Sequence, residues 1–383
     1  MFAQSANPFK RKTKSIPAQP QRLYIGSVTG KPGEGIYLAY LNPTTGQLTK
    51  PTFAAEAHNP SYLASARPGS RHVLYAANEG DEHNSAISSF LIDPKTSALT
   101  GINRVPCGTG PCYVSVDASA KAAFCANYMG SSVDSFKVNT DGSLSPMVEQ
   151  LNFKLPEFGL HGPNAARQDA SHPHSANISP DNRFLIVNDL GNDNIVTLYI
   201  HPETAKLGPP RLNECNRRGS GPRHLTFHPN ERWAYGVNEL TSTVQHYLWN
   251  ATHGVAGAEP VALLTEAGDE VSTLDAGFHG ANTAAEIVVS PDGNYAVVSN
   301  RGENSLVVFK IDATSGALSF VQRVSCGGKI PRQFTLDSSG NWLLCGNSGS
   351  NSITVFAREE ASGKLTGPVQ TLAIDGPQMI LFA

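Results

Sequence analysis

Four side chains of this 383-residue chain, His174, Arg223, Glu239 and Arg301, have the types and the spacing to do chemistry together. His174 and Arg223 head the first strands of two consecutive repeat units. Glu239 and Arg301 each follow an Asn (Asn238, Asn300) that ends a second strand. Two guanidinium forks beside a carboxylate can grip an anionic ligand by paired hydrogen bonds and can meet an oxyanion that develops during reaction. Glu239 and His174 are both eligible as general base. The same two positions in other units supply Arg332, Asp189 and Glu79 as further substrate-binding residues. The competing reading is a solvated rim in which Arg223 and Arg301 are ion-pair partners of Glu239 and nothing more.

The first position reads Cys112, His174, Arg223, Ala285 and Arg332, with Tyr62 or Ser61 in the second unit; the second reads Val28, Glu79, Tyr128, Asp189, Glu239, Arg301 and Ser348. The Asn before most of these recurs, as a residue that satisfies turn backbone does. Its neighbours vary in type and carry charge. Charges gathered at one place are costly unless paired or used.

The element that must position them is a unit of roughly forty residues, a period that marks repeat architectures. Its clearest copy runs from Gly221-Pro222-Arg223-His224 through a turn at Asn230-Glu231 to Trp233-Ala234-Tyr235-Gly236-Val237-Asn238-Glu239. The flanks alternate as half-buried strands do, and the short turn predicts an antiparallel hairpin. A third strand follows at 242–248, and most copies close on Thr/Ser-Gly-x-Leu or a variant. Seven copies predict an all-β, seven-bladed β-propeller in one domain over 22–383. The first copy lacks an opening strand, and Gly376-Pro377-Gln378-Met379-Ile380-Leu381-Phe382 fits the gap, so both termini should close blade one. First strands begin and second strands end at the same end of each hairpin, which puts both positions on one rim of the channel. Two stretches, 146–171 and 258–280, exceed the period and should lie over that rim.

Composition narrows the function. Charged residues are only 16%, Gly (35) and Pro (26) are plentiful, and the net charge is −3. This balance gives no reason to expect nucleic acid or an anionic membrane surface as partner. No apolar run approaches the ~18 residues of a membrane helix. Residues 1–21 carry Lys10-Arg11-Lys12 and Lys14 with no apolar stretch after them, so a disordered tail and a cytoplasmic location are expected. The six cysteines lack the close pairing of a zinc site, no trio of His has metal-ligand spacing, and no elbow motif supports a Ser-His-Asp triad. Neither metal nor cofactor is expected.

These residues also carry a resemblance. His172-Pro173-His174-Ser175, Asp189-Leu190-Gly191-Asn192-Asp193, Gly221-Pro222-Arg223-His224, Val237-Asn238-Glu239 and Ser299-Asn300-Arg301-Gly302, in that order, resemble the lactonase family of seven-bladed propellers. That family contains bacterial 6-phosphogluconolactonases and the fungal carboxymuconate-lactonising enzyme. The resemblance extends from Leu23 onward and implies a site of His174, Arg223, Glu239 and Arg301 acting without metal on a carboxylate- or phosphate-bearing lactone. Hydrolysis of a sugar lactone, 6-phosphogluconolactone first, is the expected activity. Lactonisation of a muconate is the alternative within the family, and a non-catalytic propeller that binds a protein on its rim is the alternative outside it.

Overall fold

The computed structural model describes residues 19–28, 35–215, 217–252 and 259–383. Residues 1–18 of the expected tail and Ala258 of the second long stretch lie outside them; the first strand begins at Gln21. Seven antiparallel sheets form the seven blades of a β-propeller. The only helical segments among the described residues are two short 3-10 turns, Pro156–Phe158 and Ser348–Ser350. No helix among them is long and apolar enough to cross a membrane.

Each blade runs outward from the channel in chain order. Blade five is typical: Pro222–Phe227 is innermost, followed by Trp233–Asn238, Thr243–Ala251 and Ala262–Glu266. Blade one is the exception. Its innermost strand is Pro377–Phe382, paired to Gln21–Ser27, so the two ends of the chain share one sheet. Apolar side chains of blade seven (Leu344, Ile353, Val355) pack with those of blade one (Leu23, Ile25, Ile380), which seals the ring.

The second strand of the unit departs from the alternation read in the sequence. Trp233–Asn238, like Val73–Asn78 and Ala122–Asn127, is buried at every position. Both of its faces pack on neighbouring blades, so small residues such as Gly236 and Ala234 sit inside the core and not on a wet face.

In five blades the recurring Asn ties the second strand to the third. Asn127 Nδ2 donates to Ser132 Oγ (2.9 Å), Asn238 to Thr243 Oγ1 (3.2 Å), Asn300 to Ser305 Oγ (3.1 Å) and Asn347 to Thr354 Oγ1 (3.0 Å). Its work is to tie the second strand to a hydroxyl on the third, and in some blades to a loop carbonyl as well, as Asn78 does with His58 O (2.8 Å).

Candidate active site

Every innermost strand has a β-bulge at the same height. In blade four Pro173 pairs with Asp189 and Ser175 with Asn188, so His174 has no partner across the ladder. In the same way Ser61, Cys112, Arg223, Arg332 and Gln378 are skipped in blades two, three, five, seven and one, and the pair Ala285-Glu286 is skipped in blade six. A bulge re-aims one side chain out of the pleat. In six blades the residue before the skipped one is proline, which has no N–H to give a ladder and suits the first position of a strand. The dipeptides Pro60-Ser61, Pro111-Cys112, Pro173-His174, Pro222-Arg223, Pro331-Arg332 and Pro377-Gln378 therefore mark the first position, and they settle blade two on Ser61 rather than Tyr62.

The second position holds Glu79, Tyr128, Glu239, Arg301, Ser348 and Val28 as expected from sequence, with one correction in blade four. Pro173 pairs with Asp189, whereas Pro222 pairs with Asn238, so Asp189 stands in the Asn slot of the other blades. A one-residue slip moves a side chain to the opposite face. Leu190, buried, takes the equivalent of Glu239, and its N–H donates to His172 O as the Glu239 N–H does to Gly221 O. Asp189 is not in the pocket. It accepts hydrogen bonds from Ser171 Oγ (2.6 Å) and from the backbone N–H groups of His172, Gly191 and Asn192.

A cavity of about 280 Å³ opens at this rim, lined by Glu79, Cys112, Tyr128, Arg167, His174, Glu239, Arg301 and Arg332. Arg223 lies just below. Glu239, nearly inaccessible, is surrounded by three guanidinium groups. Arg167 Nη2 donates to Oε1 (2.5 Å), while Arg301 Nη2 and Arg223 Nε stand 2.7 and 3.0 Å from Oε2. The last two contacts are ion pairs without a well-aimed hydrogen bond, and the Nε–H groups of Arg223 and Arg301 have no acceptor among the described residues. Burial by itself would raise the Glu239 carboxyl; Arg301, then Arg223 and Arg167, outweigh it and hold the group at about 2. Arg223, also buried, is pulled down to about 9 by desolvation and by Arg301, and remains a cation at neutral pH.

His174 faces the opposite balance. Burial, then Arg223, His224, Arg332 and Arg301, hold its imidazolium well below the usual histidine range, so the ring is neutral near pH 7. Its Nδ1 is 3.9 Å from Cys112 Sγ, and the ring meets Tyr128 edge-on. Burial and the Glu79 carboxylate push the Cys112 thiol up to about 12, which leaves it protonated and a weak nucleophile. The guanidinium of Arg332 and the carboxylate of Glu79 line the same space. Four guanidinium groups against two carboxylates leave the site with two net positive charges.

Arg167 is the member that the repeat did not reveal. It comes from the long stretch 146–171, which supplies the outer strand Glu149–Asn152, a buried Phe158 stacked on Phe153 (4.1 Å), and then a return to the rim. Gln168 fixes that return by donating to Asp193 Oδ1 (2.6 Å), an atom that also accepts from the Gly221 N–H (2.8 Å) at the head of the Arg223 strand. The signal was the broken period itself: a loop over a cationic rim carrying an Arg. His172 is a loop residue that stacks on Tyr128 (4.3 Å) and bonds its carbonyl through Nδ1 (2.9 Å). Among the described residues no group of three His, Cys, Asp or Glu side chains could hold a metal ion.

The bulges of this propeller thus bring Arg223 to Glu239 and His174 into the cavity at the same channel mouth. The chain belongs to the lactonase family of seven-bladed β-propellers, whose family model matches residues 22–382. It is 33% identical over 320 residues to a 6-phosphogluconolactonase of Bacillus subtilis, covering 82% of this chain and 84% of that one. A 6-phosphogluconolactonase of Formosa agariphila is 31% identical over 323 residues, covering 82% and 86%. Among solved structures, the periplasmic gluconolactonase of Pseudomonas aeruginosa superposes with a TM-score of 0.84 at 30% identity, over 95% of this chain and 99% of that one.

Proposed function

We propose that this protein hydrolyses the ester bond of a small anionic sugar lactone, with 6-phosphogluconolactone as the substrate. One observation carries the reading: a neutral His174 shares a cavity of monosaccharide size with guanidinium groups that outnumber the carboxylates. A phosphate dianion matches the two surplus positive charges. Relatives named 6-phosphogluconolactonase, at 31–33% identity over most of the chain, support the same substrate.

The roles follow from the electrostatics. Glu239 is held at about 2 by three arginines and is too weak a base to take a proton from water. Its part is to fix Arg167, Arg223 and Arg301. His174, neutral and at the cavity wall, is the general base. Arg332 and Arg301 receive the phosphate and the oxyanion of the tetrahedral intermediate. Glu79 accepts from a sugar hydroxyl, and Asp189 supports the rim from behind. All six cysteines are free, which fits a reducing compartment such as the cytoplasm.

The test is turnover of a panel of lactones, 6-phosphogluconolactone and glucono-lactone included, against each spontaneous rate. The phosphorylated lactone should be accelerated most. If no lactone is accelerated, the hydrolase reading falls; if the unphosphorylated one is preferred, the phosphate assignment falls.

A further inference from the structure

Below the cavity lies a level of the channel that the chemistry above does not use. Its wall comes from residues just past the bulges: Tyr62 and Tyr113, stacked at 4.0 Å, with His224 edge-on to Tyr113 at 5.4 Å, and Gln333. Tyr62, His224 and Gln333 of this level, with Cys112, Arg223 and Arg332 among others, line a second, small cavity of about 10 Å³. Cys112 and Arg332 line both cavities, so the small one is the floor of the large one. A space of that size accommodates one water where polar partners surround it.

His224 is buried, and its two nitrogens are not equivalent. Nδ1 lies 3.0 Å from Glu286 Oε1. Glu286 is in turn fixed from the backbone, since the same oxygen accepts from the Ile287 N–H (3.0 Å). A carboxylate only accepts, so Nδ1 carries the proton and Nε2 presents a lone pair. That Nε2 is buried and has no partner among the described residues, whereas the neighbouring Arg223 turns its Nε to Glu239 Oε2 at 3.0 Å. A buried acceptor left unsatisfied in a water-sized cavity, with Ser61, Arg332 and Gln378 among its other lining residues, is explained by a water that donates to it. The His174 and His224 rings are 5.4 Å apart at 68°.

We propose that this cavity holds the hydrolytic water: His224, its tautomer fixed by Glu286, anchors the water from the channel side and presents it to the lactone carbonyl. This rests on the lactonase reading of the pocket above. The water donates one hydrogen to His224 Nε2 and the other to His174. On attack, a bond forms from water oxygen to the carbonyl carbon, the carbonyl pair moves to its oxygen, and His174 takes the proton. On collapse the ring C–O bond breaks and the ring oxygen leaves with that proton. One water is added, and the new carboxyl group releases its proton to solvent. A substrate seated over the mouth leaves its nucleophile beneath it, already in place.

Glu286→Gln tests this with little change in shape. The amide lets His224 carry its proton on Nε2, which removes the lone pair. Turnover (kcat) should fall ~100-fold, the scale of positioned acid–base contributions, while the affinity for inorganic phosphate and for 6-phosphogluconate, measured by calorimetry, stays within ~3-fold and the melting temperature stays near that of the parent. His224→Phe should match it, and His224→Gln, which keeps an acceptor, should recover part of the loss. Unchanged kcat in Glu286→Gln, or a loss of kcat mirrored by an equal loss of affinity, would overturn the proposal. A crystal structure of the unaltered protein gives an arm independent of activity. A water within hydrogen-bond distance of His224 Nε2 supports the site, and a dry or side-chain-filled cavity removes it even if the protein proves to be a lactonase.

Discussion

Arg167 and Glu239 are 72 residues apart in the chain and 2.5 Å apart in space. Their contact joins the loop that leaves blade three to the turn just past the second strand of blade five, across the mouth of the channel. The Arg167 side chain is 37% exposed, while Glu239 is 2% exposed, so the pair is half in water.

Removing Arg167 should therefore affect the ligand more than the fold. Arg167→Met leaves Glu239 with two cations and should cost less than about 1 kcal/mol of stability, because the pair is partly solvated. Binding of an anionic lactone should weaken by about tenfold, the worth of roughly one charge-assisted contact. The measurements are KM and a urea titration on the same preparation. A KM equal to the parent's would remove Arg167 from the substrate site.

Arg301→Lys separates charge from shape. Lysine keeps the cation that Glu239 needs but loses the planar fork. The transition state should lose about 2–4 kcal/mol, by analogy with the removal of an oxyanion donor. The Arg301 side chain is 13% exposed and paired, so this is no loose surface contact, and a modest drop in melting temperature should accompany the loss. If kcat/KM holds while melting drops, Arg301 is only the partner of Glu239.

Glu239→Gln should be the most damaging single change at the rim. It leaves Arg223 and Arg301 buried without their carboxylate, and breaking a buried pair in this way costs about 3–5 kcal/mol. The carboxyl sits at about 2 in the folded chain against 4.5 unpaired. A depressed value stabilises the fold above the unpaired value and loses that contribution as pH falls from 4.5 towards 2. The parent's stability should decline through that window, and the variant should lack this part of the decline. Equal acid profiles would mean that Glu239 is not the carboxylate that holds the arginines.

The pH profile of turnover tests His174. Its folded value is well below 6.5, so the base stays neutral as pH drops through 6.5. The acid limb of kcat/KM should lie well below that point. Unfolded chains take up this proton near 6.5 and the folded chain does not, so stability should also begin to fall below 6.5. A kinetic midpoint at or above 6.5 would exclude His174 as the base in this environment.

Cys112 lines the cavity yet should be dispensable. Its thiol is raised to about 12, so Cys112→Ser should leave kcat within about threefold, and thiol alkylation of the native protein should not inactivate it. Stoichiometric inactivation through Cys112 would reopen the thiol as nucleophile.

Much of this site is legible in the sequence. The seven-fold period gave the propeller, and two positions of the unit gave His174, Arg223, Glu239, Arg301, Arg332 and Glu79 in or beside one cavity. In blade four the Asn, Asn188, lies one residue before the slot it fills elsewhere, so the residue after it, Asp189, is not the rim position. Counting from the start of the strand puts Asp189 at the sixth residue of Phe184–Asp189, as Asn238 is in Trp233–Asn238, and Leu190 past it. Arg167 was invisible to the period because it belongs to no repeat. The pairing of His224 with Glu286 was hidden for another reason: it joins adjacent blades at a depth that only the packing of the channel determines.

The bulges have a consequence for how such a ring changes over generations. A skipped residue has no partner across the ladder, so strand pairing does not constrain what it is. One scaffold can then present Ser61, Cys112, His174, Arg223, Arg332 and Gln378 at equivalent heights with the hydrogen-bonded frame intact. New specificities can arise by single substitutions at these sockets, each nearly silent for folding when its charge is matched. Drift in a propeller of this kind should collect there, while the prolines that precede six of the sockets stay where they are.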